Sequence, residues 1–198
     1  WTPGVHEQLP SPADPERAIT VFIPAVYPEQ AAAAGSDVVF ICSPHGRPMR
    51  MFTPLKAWAE RRGVVLVAIH SSRNGPSANN SEAHAAALAT LYGSGEGADP
   101  LRGRLHFGIG YSGGGQSAWL MAMNHPERWA GLVLAGQGGW SKLGKQVAIY
   151  YIQGEEEGNR WFMREQVATT LPPPSTKRRI AAASASVMQA SVGKISTR

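Results

Sequence analysis

The chain has 198 residues, 43% of them hydrophobic, and no apolar run near the roughly 18 residues that a membrane-spanning helix needs. Its net charge of +5 is concentrated at one end, because residues 171–198 carry five of the 19 basic residues and no acidic residue. This charge has no accompanying aromatic-basic groove pattern, which argues against nucleic-acid binding. The single cysteine, Cys42, excludes internal disulfides and cysteine-rich zinc sites.

The predicted elements begin after a polar, proline-rich segment, 1–18, which is expected to be an extended lead-in. Strands and helices then alternate, which predicts a mostly parallel sheet with helices on both faces. The predicted strands are 19–24, 37–42, 64–69, 105–109, 131–136 and 147–152. The predicted helices are 49–62, 81–92 and one that follows residue 114.

The length predicts one folded domain, which we place at 19–170. Residues 171–198 are rich in proline, alanine and serine and contain no strand pattern like the earlier ones. They are predicted to be a disordered basic tail, with a marginal helix over 180–192 as the alternative.

The most informative stretch is Gly110-Tyr111-Ser112-Gly113-Gly114, which lies between a predicted strand and a predicted helix. A serine between small residues at such a turn is typical of a nucleophile elbow, where hydrolases present their catalytic serine. The tight turn strains the serine backbone, so the residues two before and two after it must lack bulk. Gly110 and Gly114 meet this requirement, and Ser112 is therefore the predicted nucleophile.

The same stretch also satisfies a dinucleotide-binding pattern, because residues 108–113 read G-x-G-x-x-G. Such a site normally lies in the first strand-helix-strand unit, with an acid about 20 residues later at the end of the next strand. Here the pattern follows the fourth predicted strand, and Glu127 precedes the next strand instead of ending it. Nucleotide binding, and an idle serine in a glycine-rich packing turn, are the less favoured interpretations.

Residues 19–160 resemble an α/β-hydrolase, in particular the polyhydroxybutyrate-depolymerase and feruloyl-esterase branch of carboxylic-ester hydrolases. The segments that carry the resemblance are Val39-Phe40-Ile41-Cys42-Ser43-Pro44-His45-Gly46, the elbow, and His125-Pro126-Glu127-Arg128-Trp129-Ala130-Gly131. The resemblance implies an α/β-hydrolase fold with Ser112 as the acyl-accepting nucleophile. It also implies a small-molecule or polymeric ester substrate and no metal or organic cofactor.

The oxyanion hole is expected to combine the backbone N–H of Gly113 with one N–H from the loop 43–48. His45 and Gly46 are the candidate donors in that loop, because Pro48 has no N–H. Other loops at the carboxyl ends of the predicted strands are expected to line the pocket, although each residue is equally compatible with a solvated loop. The expected pocket residues are Arg73, Asn74, Gln137 and Trp140.

The catalytic acid is expected after the strand 147–152, where Glu157 best matches the position of the family's acid; a solvated acidic turn is the alternative. No histidine matches the family's base. His125 is the only histidine after Ser112, and it lies about 20 Å away at the far end of the predicted elbow helix. His45 and His70, on loops at the edge of the site, are the alternatives.

The sequence therefore predicts a C-terminally incomplete α/β-hydrolase domain that lacks the last strand and the histidine loop, through truncation or a frame change near Leu171. We expect a serine esterase with weak or absent turnover. A non-catalytic hydrolase-like domain that binds an ester or a protein partner is the alternative. The chain starts at Trp1, so a processed or truncated N-terminus is expected, and the sequence leaves secreted, periplasmic and cytoplasmic locations open, as it does the oligomeric state.

Overall fold

A seven-stranded sheet organises the part of the chain that the computed structural model describes, residues 1–27, 36–75, 77–93, 105–136, 143 and 147–152. The strands are β1 (Gly4–Pro10), β2 (Ala18–Ile23), β3 (Val38–Cys42), β4 (Val65–Ile69), β5 (His106–Tyr111), β6 (Trp129–Ala135) and β7 (Ala148–Ile152). Their order across the sheet is β1-β2-β4-β3-β5-β6-β7. The pairs β1–β2 and β2–β4 are antiparallel and the others are parallel, which confirms the predicted mostly parallel sheet.

Helices cover both faces of this sheet, as predicted. They are α1 (Met49–Arg62), α2 (Ser77–Tyr92) and α3 (Gly113–Asn124), followed by a short 3₁₀ helix at Pro126–Arg128. Every residue of β3 is buried, and its alternate side chains enter two different cores. Phe40 packs with residues of α2 and α3, whereas Ile41 packs with residues of α1. A strand covered on both faces explains the continuous apolar run that marked β3 in the sequence.

The expected lead-in, 1–18, is corrected by the structure, because residues Gly4–Pro10 form a strand that pairs with β2. The strand lies at the edge of the sheet, most of its residues are exposed, and its register shifts between His6 and Leu9. Gln8 in this irregular stretch has a positive φ of 51°. An exposed, bulged edge strand has no apolar alternation, which is why the sequence pattern did not reveal it.

His106 and Trp129, the first residues of β5 and β6, form a buried cluster of rings with Phe40 and His84. The ring of Phe40 lies 5.1 Å from that of His106, 5.6 Å from that of Trp129 and 5.9 Å from that of His84, centre to centre. His106 Nε2 is 2.7 Å from the Tyr92 hydroxyl. Within the described residues, His84 Nε2 and His106 Nδ1 are buried without a hydrogen-bond partner. Both imidazoles therefore lie in an apolar environment that disfavours a positive charge.

The predicted tail, 171–198, and its alternative helix over 180–192 lie outside the described residues. Among the helices that the structure describes, none is long and apolar enough to span a membrane.

Candidate active site

Ser112 lies at the junction of β5 and α3 in a strained backbone conformation. Its φ of 50° and ψ of −127° are rare for a residue with a side chain, and Gln8 is the only other non-glycine residue with positive φ in the described part of the chain. The N–H of Ser112 donates to the carbonyl of Ala135 in β6 at 2.7 Å, and its own carbonyl accepts from the N–H of Gly115 at 2.8 Å. Main-chain hydrogen bonds on both sides thus hold the strained serine in place.

The glycines on either side of Ser112 allow close contact between main-chain segments. A Cβ atom added at Gly110 would collide with the backbone of Gly114 and Gly115. One added at Gly114 would collide with the carbonyl of Cys42 and lie 2.9 Å from the Cα of Ser43. The first turn of α3 therefore rests directly on the end of β3, and the predicted need for glycine at both positions is confirmed.

A contact that the sequence did not reveal joins Gly113 to Asn74. A Cβ atom at Gly113 would overlap the terminal amide oxygen of Asn74 and lie 2.7 Å from its Cγ. The N–H of Asn74 donates to the carbonyl of Pro44 at 2.9 Å, which anchors the residue to the loop after β3. The structure thus places the predicted pocket residue Asn74 against the elbow, in space that any side chain at 113 would need.

The loops that follow β3 and β4 are tied together by the hydroxyl of Ser72. This fully buried Oγ accepts a hydrogen bond from the N–H of Ser43 at 2.9 Å and lies 3.0 Å from the Ser43 carbonyl. The carbonyl of Ser72 accepts from the N–H of Gly46 at 3.1 Å, and His45 forms an antiparallel bridge with Arg73. The two loops consequently form one connected unit beside the elbow.

Replacing Ser72 by alanine is expected to lower the free energy of unfolding by about 2 kcal/mol, because the buried N–H of Ser43 loses its acceptor. Equilibrium urea unfolding measures the change. The matched control is Ser81→Ala, since the Ser81 hydroxyl accepts only a long, exposed bond of 3.4 Å from Asn124. Equal losses in the two variants would contradict the role given to Ser72.

The backbone N–H groups near Ser112 differ in whether they already donate a hydrogen bond. Gly113 is the first residue of α3, so its N–H has no acceptor within the helix. The N–H of Gly46 already donates to Ser72, so the loop would have to rearrange before Gly46 bound an oxyanion. The N–H of His45 makes only a long contact of 3.5 Å with Ser43 Oγ. Of the three predicted oxyanion donors, Gly113 is the one whose N–H has no acceptor among the residues that the structure describes.

The fold is similar to those of solved serine hydrolases. The chain matches an α/β serine hydrolase without a lid from Xanthomonas campestris, at 14% identity and a TM-score of 0.55 over 85% of this chain and 80% of that one. It also matches an S-formylglutathione hydrolase from Agrobacterium tumefaciens, at 16% identity and a TM-score of 0.52 over 78% of each chain. The chain has the α/β-hydrolase fold.

A highly thermostable carboxyl esterase from Bacillus coagulans is also matched, at 15% identity and a TM-score of 0.45. That match covers 69% of this chain, which spans only 45% of the esterase. No protein-family model matches the sequence, and no curated protein matches it. The finer resemblance to polyhydroxybutyrate depolymerases and feruloyl esterases therefore stays a prediction.

All six histidines of the chain lie within the described part of this hydrolase fold, and none of them is hydrogen-bonded to Ser112. His70 Nε2 lies 2.9 Å from the hydroxyl of Thr20, and burial lowers the pKa of His70. His125 follows the far end of α3 and forms a 3.7 Å ion pair with Glu127 when protonated. His45 is exposed on the loop beside the elbow.

The remaining predicted site residues fall into two groups. Arg73 is exposed and bridges to His45, so it lies at the rim of the two connected loops. Glu157, Gln137 and Trp140 lie outside the described residues, and their predicted roles stay predictions. The described residues contain no cluster of histidine, cysteine, aspartate or glutamate that would hold a metal ion.

Proposed function

We propose that the protein is a serine hydrolase of the carboxylic-ester type with Ser112 as its nucleophile. The observation that supports this most directly is the backbone of Ser112, with a φ of 50° at a turn whose flanking glycines leave no room for a side chain. A strained residue persists only where surrounding contacts impose it, and such residues cluster at functional sites. An ordinary packing turn between β5 and α3 has no need for a serine in this conformation.

In the proposed reaction, Ser112 Oγ attacks the carbonyl carbon of an ester while its proton passes to a base. The carbonyl oxygen becomes an oxyanion beside the N–H of Gly113, the alcohol leaves, and water releases the acyl group from the serine. No metal or organic cofactor takes part. A small or polymeric ester fits this chemistry, and specificity of the polyhydroxybutyrate-depolymerase type is part of the proposal.

No histidine of the chain matches the base that this fold normally supplies, and we propose slow turnover for that reason. His70 is held by Thr20, and His125 lies at the far end of α3. His45 is the remaining histidine at the same edge of the sheet, and its loop contacts the loop that carries Asn74. We therefore propose His45 as the residual base, although it precedes Ser112 in the chain. Glu157, which follows β7 in the sequence as the family order of serine and acid requires, is the proposed acid.

Reaction with a fluorophosphonate probe tests the nucleophile independently of turnover. We expect one covalent adduct per chain by intact-mass spectrometry, located at Ser112 by peptide mapping and absent from Ser112→Ala. An adduct elsewhere, or equal labelling of Ser112→Ala, would refute the assignment. Binding of an ester without any adduct would instead favour a non-catalytic hydrolase-like domain.

Hydrolysis of a short-chain p-nitrophenyl ester tests the base. We expect a slow rate that depends on Ser112 and falls further in His45→Ala. Fast, Ser112-dependent hydrolysis would contradict the proposed slow turnover, and a rate that is unchanged in His45→Ala would exclude His45 as the base.

A further inference from the structure

We propose that the side-chain amide of Asn74 is the second oxyanion donor of this site, in place of a backbone N–H from the loop after β3. The inference rests on the proposed function of Ser112. It gives Asn74 a direct catalytic role, whereas the sequence suggested only that Asn74 lines the pocket.

The first support is proximity to the backbone that supplies the first donor. The Asn74 amide occupies the space that a Cβ atom at Gly113 would fill, with Nδ2 at 3.5 Å from that position. Among the described residues the terminal amide has no hydrogen-bond partner, although the main chain of Asn74 is anchored. A half-turn about its last bond exchanges the amide oxygen and nitrogen, so the N–H₂ group can face the oxyanion. The amide therefore lies against Gly113, the residue whose N–H is the first donor, and is free to donate.

The second support is that two backbone N–H groups of the loop after β3 already donate to other acceptors. Gly46 donates to the Ser72 carbonyl at 3.1 Å and Arg47 to Ser43 Oγ at 3.2 Å. His45 faces the same Ser43 Oγ at 3.5 Å. Pro48 has no N–H. In this conformation, the N–H groups of Gly46 and Arg47 already have acceptors, and only that of His45, with its long contact, is left in this loop for the backbone donor that hydrolases normally use.

The third support is the rigidity of the segment that carries Asn74. The side chain of Asn80, which is buried, accepts from the N–H of Arg73 at 3.2 Å and donates to the carbonyl of Arg73 at 3.1 Å. The next N–H along the chain, that of Asn74, donates to Pro44. These three hydrogen bonds fix the main chain immediately before the Asn74 side chain. Because the main chain is fixed, only rotation of the side chain is needed to bring the donor to the developing charge, and little reorganisation accompanies it.

The role is confined to the tetrahedral step. When Ser112 Oγ bonds to the carbonyl carbon, the π electrons of the carbonyl move to its oxygen and the serine proton leaves to the base. That oxygen then accepts one N–H from Gly113 and one from Asn74 Nδ2. Loss of a single oxyanion donor lowers the rate by about 100-fold to 1,000-fold in serine hydrolases.

The rate of fluorophosphonate addition to Ser112 tests the inference, because the phosphoryl oxygen occupies the oxyanion position. We expect Asn74→Ala and Asn74→Asp each to lower the second-order rate constant about 100-fold. Aspartate keeps the shape of the side chain but has no N–H to donate and adds a negative charge, so the uncharged Asn74→Ala measures the loss of the donor alone. Thermal unfolding of each variant verifies that it is folded.

Asn124→Ala is the matched control, since Asn124 lies at the opposite end of α3 and is exposed. We expect its rate constant to stay within about twofold of the unmodified chain, because it is remote from the oxyanion. If Ser112 reacts and folded Asn74→Ala and Asn74→Asp react at the normal rate, the donor is a loop N–H and this inference is wrong. If Ser112 of the unmodified chain does not react, the proposed function itself fails.

Discussion

Alanine at Gly114 is expected to lower the free energy of unfolding by about 3 kcal/mol and to abolish the reaction of Ser112 with a fluorophosphonate. The added methyl group would collide with the Cys42 carbonyl, at the end of the central strand β3. Cys42 pairs with Ile69 on one side and with Gly110 on the other, so this backbone cannot move without disturbing two strand pairs. Overpacking commonly costs about 1 to 3 kcal/mol, and contact with an immobile main chain places this variant at the upper end.

Gly131→Ala is the matched control for this prediction. Gly131 lies in β6, and a Cβ atom there would be 3.3 Å from the nearest atom, the carbonyl oxygen of Ala148. We expect its free energy of unfolding to change by less than about 1 kcal/mol, with Ser112 still reactive, because a small adjustment relieves this contact. Urea unfolding and intact-mass labelling of both variants provide the comparison. Similar losses in the two would show that the elbow is no more sensitive than the rest of the sheet.

The central elements were predictable because their patterns are local. The buried strands β3 and β4 are continuous apolar runs, and α1 has the predicted bounds, with Gly63 ending it at a φ of 64°. The start of α2 was predicted at 81, four residues late, since Asn79 and Asn80 are typical of loops. In the structure their side chains bind partners outside the helix: Asn79 accepts from Arg17, and Asn80 pairs with the main chain of Arg73. Those tertiary contacts compensate for the weak helix propensity and are not visible in the local sequence.

The candidate site also has a part that local sequence predicts and a part that depends on tertiary contacts. Ser112 and the glycines around it could be identified from five consecutive residues, because the requirements of a tight turn are local. By contrast, the hydrogen bond from the N–H of Ser43 to the Ser72 hydroxyl joins residues 29 positions apart. The contact of Asn74 with Gly113 likewise depends on the sheet, in which β3 lies between β4 and β5 and brings the loops after all three strands together. Chain order alone does not determine which loops become neighbours.

Acidification from pH 7 to pH 5 is expected to lower the free energy of unfolding. The cause is two buried histidines, His84 and His106, on the face of the sheet that α1 does not cover. Burial, followed by the nearby positive charges of His125, His106 and Arg128, lowers the pKa of His84 to about 3. Burial, followed by Arg128 and His125, lowers the pKa of His106 to about 4. In the unfolded chain both side chains return to the ordinary value near 6.5.

The sign of the effect follows from proton uptake. Below pH 6.5 the unfolded chain binds protons that the folded chain does not, so the free energy of unfolding falls as the pH falls. Each histidine contributes up to about 1.4 kcal/mol per pH unit until the pH reaches its folded pKa. Together they lower the free energy of unfolding by up to about 3 kcal/mol per pH unit between pH 5.5 and pH 4.5, whereas above pH 7 they add no pH dependence.

Urea unfolding at a series of pH values tests this prediction with His84→Gln and His106→Gln. Glutamine does not titrate, so each variant is expected to lose about half of the pH dependence that His84 and His106 together contribute below pH 6.5, whatever its stability at pH 7. His6→Gln is the control, because His6 lies on the edge strand β1 and its ring makes an exposed bond to the carbonyl of Thr2 at 2.8 Å. This variant is expected to keep the full slope. If both core variants keep the same slope of unfolding free energy against pH, other groups cause the acid destabilisation. The two imidazoles would then be as easily protonated in the folded chain as in the unfolded one.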